Sequence, residues 1–234
     1  IDDIFGLKKL FKFGVQITTC FFLLYESSYF DVINQIDNLL LKIVNILTIV
    51  IFLSAIINFC NFMDGIDGIL SGSILIFYIF ASFLFSNSIL GILGALLGFL
   101  LWNWQPSKIF MGDVGSNFLG GTLIWILLNT NNVNNSVGLL FIASPILLDP
   151  LICLIRRLLA RENIIKAHNM HLYQRLTKGG LKHQTVSLIY ILSITLIGIS
   201  FLAGGLVFEI VSFFLVVIIG FFLEQHYALP FTKA

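Results

Sequence analysis

Charged side chains are scarce in this sequence. They make up 11% of 234 residues, whereas 58% are hydrophobic and the mean hydropathy is +1.01. A soluble globular domain carries about 25% charged residues, so this composition excludes that class. A net charge of only +1 gives no indication of nucleic-acid binding. The sequence therefore predicts an all-α, polytopic helical bundle that is integral to a lipid bilayer.

The sequence also has few cysteines and lacks the pattern of a signal peptide at Ile1. Cys20, Cys60 and Cys153 are far apart, each lies in or beside an apolar run, and their spacing is not that of a metal site. We interpret them as small core residues. The chain opens at Ile1 without a charged leader, so no cleavable signal peptide is indicated. We expect that N-terminal spans are missing here and precede Ile1 in the full protein.

Apolar runs long enough to cross a bilayer, about 17–25 residues, are what the sequence has in abundance. They predict about eight transmembrane helices in one domain over residues 1–234, near 11–30, 40–60, 69–86, 88–104, 117–130, 137–155, 185–203 and 206–223. We number the junctions between these spans in chain order and count the segment before the first span as junction one. Of thirteen Lys and Arg residues, only Lys42 lies at an even-numbered junction. The positive-inside rule therefore places the odd-numbered junctions in the cytoplasm, beneath the plasma membrane. Small-residue spacings such as Gly91 to Ala95 allow close helix packing, within one chain or in a homodimer.

The first polar motif stands where the second span ends. Asn58, Asn61, Asp64 and Asp67 recur every three residues, among glycines that let the backbone turn. Asn58 and Asn61 share a face if the helix reaches them. Such a segment can offer oxygen ligands to a polar partner. A capped helix C-terminus with solvated acids is the alternative.

Two further acidic motifs lie at predicted cytoplasmic junctions. Asp113 stands between Gly112 and Gly115 at the start of an apolar helix. A helix N-terminus favours phosphate oxygens, and an acid there could hold a divalent cation that bridges to phosphate. A plain N-cap is the alternative. The adjacent acids Asp2 and Asp3 could bind metal or accept a proton, or form a solvated pair.

The last motif is a loop in which His168, His171 and Arg175 are three and four residues apart. On a helix these side chains would share a face. Zinc is poorly indicated because no third or fourth ligand is near in sequence, whereas imidazoles and a guanidinium suit a diphosphate. Asp149, just before Pro150 in an apolar span, would be costly to bury. We favour for it a hydrogen bond at a helix kink.

Together the four motifs resemble the cytoplasmic signatures of the polyprenyl-phosphate N-acetylaminosugar-1-phosphate transferases, in the same order and spacing. The motifs are Asp2-Asp3, the segments 58–68 and 110–116, and His168-x-x-His171-x-Tyr173-Gln174-Arg175. The resemblance implies transfer of an N-acetylamino-sugar 1-phosphate from a UDP-sugar to polyprenyl (undecaprenyl) phosphate, with UMP released. It also implies Mg²⁺ as cofactor, with Mn²⁺ as a substitute. The separated histidines resemble the O-antigen and capsule initiators rather than the lipid I enzymes.

The resemblance also implies roles for single residues. Asp113, with Asn61 nearby, would hold Mg²⁺ on the diphosphate, and Asp2 or Asp3 would deprotonate or orient the polyprenyl phosphate. The implied substrate-binding residues are Asn58, Asp64, Asp67, Phe110, His168, His171 and Arg175. Two other functions stay open: a multi-span transporter, which the intramembrane acid Asp149 motivates, and an inactive relative that serves as a scaffold.

Overall fold

The computed structural model describes residues 9–85, 89–130, 132–163, 166 and 168–231. Within these residues there are nine helices and no strand, so the predicted all-α class is confirmed. The helices are α1 (Lys9–Tyr25), α2 (Ser28–Asn34), α3 (Leu39–Met63), α4 (Ile69–Ser82), α5 (Leu90–Asn103), α6 (Gly112–Leu128), α7 (Val133–Leu159), α8 (Leu172–Lys178) and α9 (His183–Tyr227).

Three of these helices, α3, α7 and α9, are long and apolar enough to cross a membrane by length and composition. Two of them begin at an asparagine cap. The Asn38 side chain accepts a hydrogen bond from the Leu41 N–H at 3.1 Å, and Asn132 accepts one from Asn135 at 2.8 Å. Shorter apolar helices surround them. The helical, apolar architecture agrees with the predicted membrane protein.

The longest helix, α9, reverses direction in the middle. A straight helix of 45 residues would be about 67 Å long. However, Gly204 and Gly205 are non-helical, and Gly205 has φ of +64°, which favours glycine. Just beyond the end of α9, the Leu229 N–H donates to the carbonyl of Arg175 in α8, only eight residues before α9 begins. The halves 183–203 and 206–227 therefore run antiparallel, as the two separately predicted spans require.

The core lies where α3 packs against α1, α6 and α7, and where α9 packs against α4, α7 and α8. Close approach of α3 and α6 depends on Gly120, because a Cβ there would lie 2.8 Å from the Ile57 Cα. By contrast, Gly91, Gly94 and Gly98 of α5 have no heavy atom near an added Cβ. These glycines therefore make no close contact with the residues that the structure describes, and the homodimer stays a prediction.

Alternating passes bring several connections to one end of the bundle. There the Asn103 side chain, at the end of α5, accepts hydrogen bonds from the Gly68 N–H at 3.2 Å and the Ser71 hydroxyl at 2.7 Å, both at the start of α4. The Ser187 hydroxyl in α9 donates to the carbonyl of Asp67 at 2.7 Å. We call this the cleft end. It gathers the connections that carry the described polar motifs, while α2 and the α6–α7 turn lie at the opposite end.

Candidate functional site

A cleft of about 1350 Å³ opens between α1, α3, α6 and the segment before α8. Its polar lining comes from the ends of these elements and includes Lys12, Asn61, Asp64, Asp113, Lys166, His168 and His171. Its remaining wall is largely apolar and includes Phe13, Leu23, Ile57, Phe118 and Trp125. One cavity therefore joins a charged centre to an apolar groove, and it exceeds the roughly 300–1000 Å³ of sites for one small ligand.

The polar centre is organised by Asn61 in the last turn of α3. Its amide N–H₂ donates to Asp113 Oδ1 at 3.2 Å and to the Ser116 hydroxyl at 2.8 Å, both in the first turns of α6. Lys12 Nζ from α1 donates to Asp113 Oδ2 at 3.3 Å. Three helices thus hold the Asp113 carboxylate in place, while more than half of its side chain stays exposed to the cleft.

Asp64, the residue directly after α3, is the second carboxylate of this centre. Burial raises its pKa to about 7, a backbone hydrogen bond from Gly112 opposes the rise, and the negative charge of Asp113 adds to it. Two neighbouring carboxylates are donors that Mg²⁺ prefers, and a cation between the acids would relieve their repulsion. The chemistry of Asn61, Asp64 and Asp113 therefore fits a divalent cation.

A row of amides lies deeper in the cleft. The Asn58 amide donates to Gln16 Oε1 at 3.2 Å, and Gln16 Nε2 donates to Asn117 Oδ1 at 3.2 Å. These bonds tie α1, α3 and α6 together below the acidic centre. Gln16 and Asn117 carried no role in the sequence analysis. The available signal was that each is a polar side chain in an otherwise apolar run, which is costly without a partner.

Two neutral histidines face the acidic centre across the cleft. Burial, with the nearby His171 and Arg157 charges, lowers the pKa of His168 to about 4. Burial and Arg157 likewise lower the pKa of His171 to about 4. Both imidazoles are therefore uncharged at neutral pH and can each donate one N–H to a bound oxygen.

The position of these histidines is set by Asp149 of α7. Its carboxylate accepts hydrogen bonds from the N–H groups of Leu172 at 2.7 Å and Tyr173 at 3.1 Å, and from the Tyr190 hydroxyl at 2.6 Å. The interpretation of Asp149 as a helix-kink hydrogen bond is therefore wrong. The residue satisfies the free N–H groups at the start of α8 and thereby fixes that helix to α7 and α9.

Tyr173 then attaches α8 to the 58–68 segment. Its hydroxyl donates to the carbonyl of Phe62 at 2.8 Å and accepts from Gln174 Nε2 at 3.1 Å. Burial, reinforced by the charges of Asp149 and Asp64, raises its pKa, so the hydroxyl stays protonated. A side chain at position 65 would overlap this hydroxyl, which explains the glycine there.

Arg175 does not line the cleft. The residue is 3% exposed, and its guanidinium donates to the carbonyls of Met170 at 3.2 Å and Leu229 at 2.9 Å and to the Glu224 carboxylate. The expectation that His168, His171 and Arg175 share a helix face is wrong, because α8 begins only at Leu172. Arg175 instead fixes α8 to the C-terminal end of α9, and its contact with substrate stays a prediction.

Comparison with known proteins places this chain in a family. The sequence profile of glycosyl transferase family 4 matches residues 1–131, more than half of the chain. The chain belongs to glycosyl transferase family 4. The match contains the 58–68 and 110–116 motifs, whereas the histidines and α8 lie beyond it. The predicted family is confirmed.

Several curated proteins resemble this family 4 chain. One is the probable undecaprenyl-phosphate N-acetylglucosaminyl 1-phosphate transferase of Bacillus subtilis (strain 168), 29% identical over 95% of this chain and 65% of the relative. Another is the decaprenyl-phosphate N-acetylglucosaminephosphotransferase of Mycolicibacterium smegmatis, 31% identical over 82% of the chain and 56% of the relative. The phospho-N-acetylmuramoyl-pentapeptide-transferase of Staphylococcus carnosus is 32% identical over 60% of the chain and 50% of the relative. The chain thus spans one half to two thirds of these relatives' lengths.

Two other predicted site residues of the family 4 chain lie away from the cleft. Asp67 accepts hydrogen bonds from the Ser107 hydroxyl at 2.8 Å and the Ser107 N–H at 3.3 Å, and so anchors the connection between α5 and α6. Phe110, in that connection, is 78% exposed. Asp67 therefore positions a loop, and stacking of Phe110 on a base stays a prediction. Asp2 and Asp3 lie outside the described residues.

Proposed function

We propose that the full-length protein transfers an N-acetylamino-sugar 1-phosphate from a UDP-sugar to polyprenyl phosphate and releases UMP. The observation that carries this proposal is the single cleft in which Asn61, Asp64 and Asp113 face two neutral histidines and open onto an apolar wall. A charged nucleotide sugar and a lipid phosphate need these two environments side by side. The printed names of the family 4 relatives support the same reaction class.

In the proposed reaction, an oxygen of polyprenyl phosphate forms a bond to the β-phosphorus of the UDP-sugar. The bond from that phosphorus to the oxygen shared with the α-phosphate breaks, and UMP leaves with the electron pair. Mg²⁺, held by Asp113 and Asp64 with Asn61 nearby, would neutralise the diphosphate charge when bound. The protein contributes positioning: His168 and His171 present N–H donors to phosphate oxygens, and Lys12 offers a positive charge at the cleft mouth.

The apolar wall is proposed to hold the first isoprene units of the lipid. The cleft end would face the cytoplasm at a bacterial plasma membrane. The product would begin a cell-surface polysaccharide such as an O-antigen or capsule. Loop sequence supports a non-peptidoglycan sugar, because Asn169 and Met170 separate the two histidines. The relatives named for N-acetylglucosamine also match more of the chain than the S. carnosus enzyme does.

The transporter alternative has lost its main support. Asp149, which motivated it, has both carboxylate oxygens engaged by backbone N–H groups and a tyrosine. A carboxylate so occupied is poorly suited to bind and release a coupling ion. An inactive scaffold would have no need for an open cleft with two facing carboxylates.

UMP release by the purified full-length protein tests the proposal. The assay uses undecaprenyl phosphate and Mg²⁺ with UDP-GlcNAc, UDP-GalNAc, UDP-FucNAc and UDP-QuiNAc. We expect release with one donor and a loss of about 100-fold or more in Asp113→Asn, because that change removes a charge at the diphosphate. Asp37→Asn, the same change at an exposed site on the opposite end, should keep full activity. A folded protein that releases no UMP from any donor would contradict the proposal.

A further inference from the structure

A second group of ligating side chains lies at the back of the cleft. Cys153 of α7 lies beside the two histidines, and the ligand atoms of Cys153, His168 and His171 all lie within 4.8 Å of one another. Cys153 Sγ is 4.0 Å from His168 Nδ1, and the two imidazole centroids are 4.9 Å apart. Zinc was poorly indicated by the sequence because Cys153 is 15 residues from the nearer histidine. Tertiary structure supplies the third ligand.

Burial distinguishes this group from a chance surface cluster. Cys153 is 3% exposed and His171 is 4% exposed. In the described part of the chain, His171 Nδ1 is buried and has no hydrogen-bond partner. A buried polar atom without a partner is destabilising. Coordination of this ring to a cation would give the imidazole a polar partner, and Asp149 Oδ1, 3.9 Å from Nδ1, adds negative charge beside it.

The donor set selects the kind of cation. One sulfur and two imidazole nitrogens suit Zn²⁺ and other borderline metals, whereas Mg²⁺ requires oxygen ligands. A sulfur and a nitrogen on one tetrahedral Zn²⁺ are roughly 3.5 Å apart. The observed 4.0 Å between Cys153 Sγ and His168 Nδ1 is close to this value, and all three ligand atoms lie within 4.8 Å, so side-chain rotations would have to draw them together around the ion.

The charges around the group also decide how strongly it can bind. The positive charges of Lys166 and of three arginines, Arg156, Arg157 and Arg175, oppose a cation. Each arginine is engaged: Arg157 by the Glu162 carboxylate and the carbonyls of Asn163 and Lys166, and the other two by the Glu224 carboxylate. On binding, the Cys153 thiol would release one proton to solvent, and the resulting thiolate would cancel one metal charge. Asp149 provides further negative charge, so the site is not electrostatically closed to a divalent cation.

We propose that Cys153, His168 and His171 form a binding site for Zn²⁺ or a similar borderline cation, separate from the Asp113 centre. A fourth position is left to solvent or to an anion in the cleft. Because both histidines line the cleft, a bound Zn²⁺ would remove them from substrate contact and lower transferase activity. This inhibitory effect rests on the proposed function, whereas metal binding itself does not.

Co²⁺ titration of the metal-free, full-length protein in detergent tests the site. We expect one Co²⁺ per chain at this site, with a near-ultraviolet absorption band from thiolate-to-cobalt charge transfer that excess Zn²⁺ removes. Cys153→Ala should lose the band, and Cys60→Ala, which changes another buried cysteine, should keep it. His168→Gln alters a less buried ligand and should weaken Co²⁺ binding at least tenfold if Cys153→Ala fails to fold.

Absence of the band in folded wild-type protein, or its persistence in Cys153→Ala, would overturn the proposal. Inhibition is measured separately, as the Zn²⁺ concentration that halves UMP release relative to each variant without Zn²⁺. That concentration should rise at least tenfold in Cys153→Ala. A thiolate band from a protein that releases no UMP would support the metal site and contradict only the proposed function.

Discussion

At the residue scale, one buried carboxylate determines where the histidines stand. Asp149 binds the first N–H groups of α8, so the chain from 168 to 171 approaches that helix as an extended segment and not as a helical turn. The same carboxylate holds Tyr190 of α9. A single side chain thus connects α7, α8 and α9 directly behind the cleft.

Replacement of Asp149 by Asn should loosen this connection. The amide keeps the shape but replaces one acceptor oxygen with N–H₂, which must face a backbone or hydroxyl donor. We expect the free energy of unfolding to fall by about 1–3 kcal/mol, measured by thermal unfolding in detergent. UMP release should fall with it, chiefly in kcat, because the histidines are displaced. Tyr190→Phe removes only one donor and should cost about 1 kcal/mol; an Asn variant as stable as wild type would contradict this role.

Gly65 is the second residue whose identity the structure explains. Its neighbour is the Tyr173 side chain, and Gly65→Ala would force the two apart, with an expected cost of about 1–3 kcal/mol in the free energy of unfolding. Adding Tyr173→Phe to Gly65→Ala should restore only part of this stability, because the ring carbon Cζ would still lie 2.9 Å from the new Cβ. Gly98→Ala, in open space on α5, should cost nothing. If Gly65→Ala proved as stable as Gly98→Ala, this explanation would be refuted.

At the element scale, the apolar spans could be predicted and the start of α8 could not. Span positions follow from local runs of hydrophobic residues and from glycines, so the break at Gly204 and Gly205 separated two predicted spans correctly. The start of α8 depends on Asp149, which is 23 residues away in sequence. Spacing alone therefore suggested a helical face for Arg175 that does not exist. Gln16 and Cys153 were missed for the same reason, since their partners are brought near only by folding.

The end of α9 is attached to α7 and α8 through one carboxylate, that of Glu224. Glu224 accepts hydrogen bonds from Arg156 of α7 and Arg175 of α8, and so joins three helices. Glu224→Gln would leave two guanidinium groups facing a neutral amide. We expect a loss of about 1.5–3 kcal/mol in the free energy of unfolding, with faster proteolysis in the 160–182 region. Glu26→Gln, the same change at an exposed position at the other end, should have no effect.

At the scale of the whole molecule, positive charge is distributed unequally between the two ends of the bundle. Most described Lys and Arg residues lie at the cleft end, in the connections or in the helices beside them, whereas Lys42 lies near the start of α3 at the other end. Those at the cleft end include Lys108, Arg156, Arg157, Arg161, Lys166, Arg175, Lys178 and Lys182. The asymmetry persists after the helices are placed in space, and it is the pattern that the positive-inside rule associates with the cytoplasmic face. The orientation needed by a water-soluble UDP-sugar and the orientation indicated by charge are therefore the same.

Cysteine labelling in intact cells tests this orientation. Cys20, Cys60 and Cys153 are buried, so they should react slowly with a membrane-impermeant maleimide. In full-length protein with any cysteine before Ile1 replaced, Asn134→Cys introduces an exposed thiol at the opposite end and Lys178→Cys introduces one at the cleft end. We expect Asn134→Cys to be labelled in intact cells and Lys178→Cys only after the membrane is opened. The reverse pattern would place the cleft outside the cell, where it could not reach UDP-sugars in the cytoplasm. That result would contradict both the orientation and the proposed donor.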